Sequence, residues 1–333
     1  MSPAEYRRAC QPLSASRSGE PLAKSVSQYD VDDQPAFRTA TVVENRGASA
    51  DGSLRTLVLS VEDRVNFLEG RRVKARQEAP RWIDQYRTPG QCLVVRQSPP
   101  DVAAASSSGG GELMLAVSSS PYHARRQSAP LDASIVEVLV DRQGEASQQQ
   151  LSHAGPGALL SVGRFQGNGF SSLFAPDIGL QSAMESGRRL LLIGVGASGM
   201  APLRAAMDWA PVQAHASSGQ VAMVYLAPSP TAAAYLSEWD QWREMGAHIQ
   251  VEYLDRDSNQ CASDKPSSPR SIMESIDAAV FDRQQGLPRK LNSSWHDWTV
   301  LLSGLIGSDA AAVCRKLSEE GLSSEHILVS EAQ

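Results

Sequence analysis

The sequence predicts an antiparallel β-barrel domain followed by an α/β domain built on a doubly wound parallel sheet. Three observations carry this. Short β-branched runs separated by Gly, Pro and Ser turns fill residues 37 to about 180 with no amphipathic helix among them. From residue 185 strand-sized apolar runs alternate with helical stretches, and a glycine-rich turn joins the first such strand to the first such helix.

Taken in order, residues 1–36 carry Arg7, Arg8, Arg17 and Lys24 among serines, alanines and prolines and show no apolar period. They read as a tail, either a plastid or mitochondrial transit segment or an ordinary disordered terminus, with Glu5 unusual for the former. Strands follow at Thr39–Val43 and Thr56–Val61 around a turn at 47–53, then at Cys92–Val95, Glu112–Val117, Ile135–Val140 and Ala158–Val162. The Ser and Gly cluster at 103–111 reads as a hairpin extension. Past Glu185 the pattern gives strand Arg189–Val195, helix Ala201–Trp209, strand Val221–Leu226, helix Ala232–Met245 and strand His248–Leu254. A last unit runs through strand Thr299–Leu302, helix Asp309–Glu320 and strand Ile327–Val329. Trp239, Trp242, Trp295 and Trp298 are read as packing anchors, because aromatic rings bury the most area per residue. The expected organisation is a tail at 1–36, a barrel at 37–184 and the α/β domain at 185–333.

At 333 residues the chain has room for two ordinary domains, and 31 − 37 = −6 formal charges repel a phosphate backbone, so nucleic acid is not an expected partner. No run approaches the ~20 apolar residues of a membrane helix, and no spanning segment is expected. Cys10, Cys92, Cys261 and Cys314 are widely spaced with no CxxC pair, and no HxxxH occurs among six histidines. A reducing soluble compartment without a bound metal follows.

Two sets of motifs carry chemistry. Ile193-Gly194-Val195-Gly196-Ala197-Ser198-Gly199-Met200-Ala201-Pro202 lies between a strand and a helix, as dinucleotide binding requires. Gly196 and Gly199 let the backbone approach a pyrophosphate, Ser198 lies between them, and Pro202 suits an early helical position. A tight structural turn is the alternative. The second set is Pro89-Gly90-Gln91-Cys92, Ser118-Ser119-Ser120-Pro121, Gly144-Glu145-Ala146-Ser147 and the Gly-rich stretch 163–170, each of which taken alone is a β-turn.

In this order the motifs resemble the ferredoxin-NADP reductase-like flavoprotein family, in which an FAD-binding β-barrel precedes an NAD(P)-binding α/β domain. The resemblance covers roughly residues 37–333 and looks closest to plastid members of plants and algae, which implies a chloroplast location. It implies FAD contacts at Pro89, Gly90, Gln91, Cys92, Ser118, Ser119, Gly144 and Ser147. It implies nicotinamide-nucleotide contacts at Gly196, Ser198, Gly199, Pro202, Gly304 and Leu305, with Ser303 at the catalytic position where the family carries Cys. Asp255 and Arg256 fall where the family holds the adenosine ribose. The chain departs from the family's RxYSxxS flavin motif, whose Arg, Tyr and first Ser fall on Leu113, Leu115 and Ala116. Without that clamp and platform, FAD is expected to be held loosely, by backbone at 89–92 and 144–147. Arg125 and Arg126 are either replacement cations or an exposed basic turn. Leu226 is expected to narrow the adenine side of the groove.

The resemblance implies a flavin-dependent NAD(P)H oxidoreductase that moves a hydride between a nicotinamide and FAD and then passes electrons to an unidentified acceptor. A non-catalytic, flavin-less assembly or regulatory subunit of the same fold is the alternative. Asp255 offers acceptors to ribose hydroxyls and repels a ribose phosphate, so NADH is expected to bind at least as well as NADPH. A solvated pairing of Arg256 with Asp255 or Asp257 is the competing reading.

Overall fold

The computed structural model describes residues 37–62, 81–97, 112–128, 133–172, 175, 177–254, 271–282, 286, 291, 293–305 and 307–330. The tail, the cluster at 103–111, and Asp255 and Arg256 lie outside them.

All six expected strands of the first half form: β1 (Arg38–Gly47), β2 (Leu54–Glu62), β3 (Cys92–Arg96), β4 (Leu113–Ala116), β5 (Ala133–Asp141) and β6 (Leu159–Gln166). They pair antiparallel in the order β4-β3-β6-β1-β2-β5. The expected barrel is seen as a curled six-stranded antiparallel sheet, whose edges meet just past β4 through an isolated bridge, Val117 to Val138, and a Ser118 N–H to Glu137 carbonyl bond at 2.8 Å. Alternation explains the curl, since Leu57, Leu59, Val136, Val138 and Val162 turn inward and are fully buried. One end is filled by rings. Phe165 lies 4.3 Å from Trp82 and stacks at 5.0 Å on Tyr86, and the Tyr86 hydroxyl donates to the Ser119 carbonyl at 2.7 Å. Two short helices, α1 (Pro121–Ser128) and α2 (Ala146–Ser152), the second beginning within the Gly144–Ser147 stretch, have 8 and 7 residues, too few for a readable 3.6-residue period.

The second sheet holds β7 (Ser171–Ser172), β8 (Arg189–Val195), β9 (Val221–Ala227), β10 (His248–Tyr253), β11 (Trp298–Ser303) and β12 (Ile327–Val329). Its order is β10-β9-β8-β11-β12-β7, parallel throughout except for β7, which pairs antiparallel with β12. β7 comes from the segment expected to belong to the barrel. Helices α3 (Leu180–Glu185), α4 (Gly196–Met207), α5 (Ala210–Ser217), α6 (Leu236–Glu244), α7 (Ile272–Ile276) and α8 (Gly307–Glu319) accompany this sheet. Burial on both faces is why β8, β9 and β11 read as unbroken apolar runs. Trp242 and Trp298 are buried anchors as expected, whereas Trp295 is half-buried against Phe281 at 5.7 Å.

The two sheets share one apolar cluster, in which Cys92, Ala116, Leu139 and Phe170 meet Leu180, Met200 and Leu203. Across it runs a buried charge network. Arg204 on α4 donates from Nη1 to Glu137 of β5 at 2.6 Å and to the Ser118 carbonyl at 3.2 Å, and from Nε to Glu238 of α6 at 2.8 Å. Its guanidinium also lies 4.5 Å from the Tyr235 ring centroid, and Arg46 donates to the other Glu137 oxygen at 3.0 Å. Two backbone bonds reinforce the joint, Asp51 N–H to the Thr231 carbonyl at 3.0 Å and Tyr235 N–H to the Ala48 carbonyl at 2.8 Å.

Asp208 stands 3.9 Å from Arg204 as a further carboxylate beside this guanidinium. Burial pushes its pKa up to about 6, with Glu238 and Glu137 adding to the rise and Arg204 opposing it. A carboxyl with a raised folded-state pKa contributes stability that is present below about pH 4 and lost as pH rises through about 6. Asp208→Asn is therefore expected to raise the melting temperature at pH 7.5, by about 1–3 kcal/mol of stability, and to remove the corresponding fall between pH 4 and 6. Thermal unfolding across that range for both proteins checks this.

Candidate nucleotide-binding site

Ligands of open parallel sheets sit at the carboxyl ends of the strands, and here β8 runs directly into α4 at that edge. Gly196 adopts φ 61, and a Cβ built on it would meet nothing within 4 Å. Ala197 is half-buried and Ser198 exposed, so the first turn of α4 faces outward. The first N–H groups of a helix lack intrahelical acceptors and carry the positive end of its dipole, which is the chemistry a phosphate group requires.

The other glycines close the turn from behind. A Cβ on Gly199 would come within 2.7 Å of the Ser303 carbonyl oxygen and 3.0 Å of the Gly194 carbonyl carbon. One on Gly304, at φ 72, would strike the Val195 carbonyl oxygen and lie 2.6 Å from the Gly199 nitrogen. Gly194 likewise touches Leu203, at 2.6 Å for a built Cβ. Close backbone packing of β8, β11 and α4 thus needs glycine at three places, while Gly196 serves the open side.

Several expected nucleotide contacts are placed elsewhere. Pro202 lies in the second turn of α4 and is buried, so it costs the Ser198 carbonyl its usual i+4 donor rather than sitting where none is lost. Leu305 is packed in the core on the far side of the sheet, as is Leu226, which therefore does not narrow the groove. Ser303 is 1% exposed, and its hydroxyl pairs with that of Ser330 at 2.9 Å. Gly304 is at the site, as the wall behind the turn. The loop after β9 begins at Pro228, where the Ser229 and Thr231 hydroxyls lie 3.2 Å apart.

The expected FAD contacts are spent on the protein itself. Gln91 Oε1 accepts from the Arg87 and Thr88 N–H groups at 2.7 and 3.2 Å, and its Nε2 donates to the Gly167 carbonyl at 3.1 Å. Pro89 accepts from Phe170 N–H at 3.0 Å, Gly90 (φ 90) packs on Gly169 and Phe170, and Cys92 is 1% exposed. Ser118 N–H donates to the Glu137 carbonyl at 2.8 Å, and Ser119 Oγ accepts from Glu137 N–H at 3.1 Å. Gly144 faces the Gln148 carboxamide, at 2.9 Å for a built Cβ, and the Ser147 carbonyl accepts from Gln97 at 3.1 Å. Leu113 and Leu115 turn into the core of the first sheet, while Met114 turns outward, 43% exposed. Arg125 donates to the Tyr86 carbonyl at 2.8 Å, and Arg126 is exposed. Among the residues that the resemblance assigns to FAD, none is a cation for the pyrophosphate or an aromatic platform for the ring, so a resident FAD does not fit that assigned set.

The sequence reading missed Arg204, Glu137 and Tyr235. A signal existed: Arg204 is the one charge in MAPLRAAM and Glu137 the one charge in SIVEVLV. Lone opposite charges inside two apolar segments point to burial against each other.

The contacts behind Gly199 decide what a side chain there does. Gly199→Ala should lower stability by about 1–3 kcal/mol through overpacking, and Gly199→Val more, in unfolding experiments without nucleotide. Gly196→Ala should cost only about 1 kcal/mol, from its left-handed backbone.

No family model and no curated protein sequence matches the chain. In structure it is similar to the flavohem-like FAD/NAD-binding domain of nitric oxide dioxygenase from Vibrio cholerae, at 18% identity and TM-score 0.55, over 88% of this chain and 97% of that one. It is also similar to a ferredoxin NADP+ reductase from Neisseria gonorrhoeae solved with FAD and NADP, at 13% identity and TM-score 0.54, over 89% and 98%. A ferredoxin-NADP+ reductase from Plasmodium falciparum with 2'P-AMP follows at 9% identity and TM-score 0.52, over 88% and 95%. Among the described residues no helix is long and apolar enough to cross a membrane. The chain has the fold shared by these FAD- and NAD(P)-binding reductases.

Proposed function

We propose that the chain is a flavin-dependent NAD(P)H oxidoreductase, with residues 185–333 binding the nicotinamide nucleotide and residues 37–184 facing the acceptor. The supporting observation is the β8–α4 turn, where Gly196 leaves the approach open and Gly199 and Gly304 bring the strand ends against the helix start. The cofactor supplies the hydride; the protein's part is to hold the pyrophosphate at Gly196–Ser198 and orient the nicotinamide along the sheet edge. Ser303, with its hydroxyl on Ser330, is proposed as a residue of the sheet edge beneath the nicotinamide. A second reading, a flavin-less regulatory or assembly subunit, is favoured by one observation: Leu113 and Leu115 are core residues of the first sheet.

NADH is expected to bind at least as well as NADPH, because no Lys or Arg occurs from Ala205 to Trp242, a stretch that includes the whole loop after β9. Calorimetric titration with both nucleotides tests the proposal; absence of binding by either overturns it. Ser198→Asp should weaken NADH binding at least ~10-fold, by setting a negative charge against the phosphates. The melting temperature should hold or rise, since an acid in the first helical turn suits the dipole. Unchanged affinity would mean that the turn is only structural.

A further inference from the structure

We infer that this chain carries no resident flavin, so that any flavin it uses exchanges freely with solvent. The inference rests on the oxidoreductase reading above and concerns the first sheet and its joint with the second. The resemblance places FAD contacts at Pro89–Cys92, on and after β4, and at the start of α2; Gln91 is spent on its own turn, and the remaining places are occupied largely by the protein's own groups.

The first is β4. Its inward residues, Leu113 and Leu115, sit in the apolar core at 9% and 4% exposure, and reversing them would flip the strand's whole pattern. Of its outward residues, Ala116 is 6% exposed, covered by the apolar cluster that reaches Met200 of α4. That leaves Met114, which offers neither charge nor a ring. The second place is the strap Ser118–Ser120, at most 2% exposed. Its Ser118 N–H and Ser119 Oγ serve Glu137, its Ser120 Oγ accepts from His123 N–H at the start of α1 at 3.2 Å, and its Ser118 carbonyl serves Arg204. The third is the start of α2. Gln148 fills the space beside Gly144, its carboxamide oxygen accepting from Asp141 N–H at 3.1 Å, and Glu145 is an exposed carboxylate where a pyrophosphate would need donors.

The nearest buried guanidinium, Arg204, cannot replace the missing cation. Its Nε is taken by Glu238 and its Nη1 by Glu137 and Ser118, and withdrawing it would leave Glu137, a carboxylate that is 8% exposed, to Arg46, a residue that is itself 41% exposed. Among the described residues of these places a phosphate tail therefore meets no side-chain cation, and the adenylate half of FAD is expected to add little to binding.

Measuring flavin released by acid from the purified full chain, then titrating it with riboflavin, FMN and FAD, tests the inference. The expected result is below ~0.1 flavin per chain, with FAD binding no more than about threefold tighter than riboflavin, whether or not either saturates at millimolar concentration. Stoichiometric co-purified FAD, or FAD bound 100-fold tighter than riboflavin, overturns it. A parallel NADH titration keeps the two claims apart: loss of NADH binding counts against the proposed function, whereas tight FAD counts against this inference alone.

Discussion

The ion pair between Arg204 and Glu137 is the constraint on which the rest of the molecule depends. Both groups are almost wholly removed from water, and burying either one alone would cost several kcal/mol, so neither side can leave without the other. Arg204 belongs to the helix that carries the glycine turn, and Glu137 to a strand of the first sheet. The pair thereby fixes the nucleotide helix against the first sheet. Glu238 and Tyr235 extend the same grip to the segment after β9, so the loop bordering the site is anchored at its far end.

From this anchoring follows a division of labour among the glycines. The helix start is held so close to β8 and β11 that Gly194, Gly199 and Gly304 have no room for a side chain. Of these four glycines Gly196 faces open space, at the first turn of the helix. In the first sheet, by contrast, Gln91, Ser119 and Gln148 each spend polar groups on neighbouring backbone, of residues 87–88, Glu137 and Asp141 respectively. On the proposed function, this contrast limits how a flavin can be held.

Much of the fold was legible in the sequence. All six strands of the first sheet and every parallel strand of the second were readable, because period-two alternation and doubly buried apolar runs are local signals. Closure of the barrel was not, since it depends on how far the sheet curls before β4 meets β5. Helices as short as α2 and α3 carry too few residues for a period, and β7 is two serines paired with a distant strand. At the site, the turn at Gly196 was visible from spacing. The burial of Ser303, the inward set of Leu305 and the spending of Gln91 on its own turn were not, because each is decided by neighbours from other parts of the chain.

On the proposed function, a nicotinamide nucleotide is held by backbone donors of the first turn of α4, and an amide chemical-shift titration with NADH is the sharpest test. The largest shifts are expected at Gly196, Ala197 and Ser198, with Gly304 following and the amides of Ser118–Ser120 and Gly144–Ser147 unmoved. Shifts concentrated in the first sheet, with the Gly196–Ser198 amides unchanged at saturation, would contradict it.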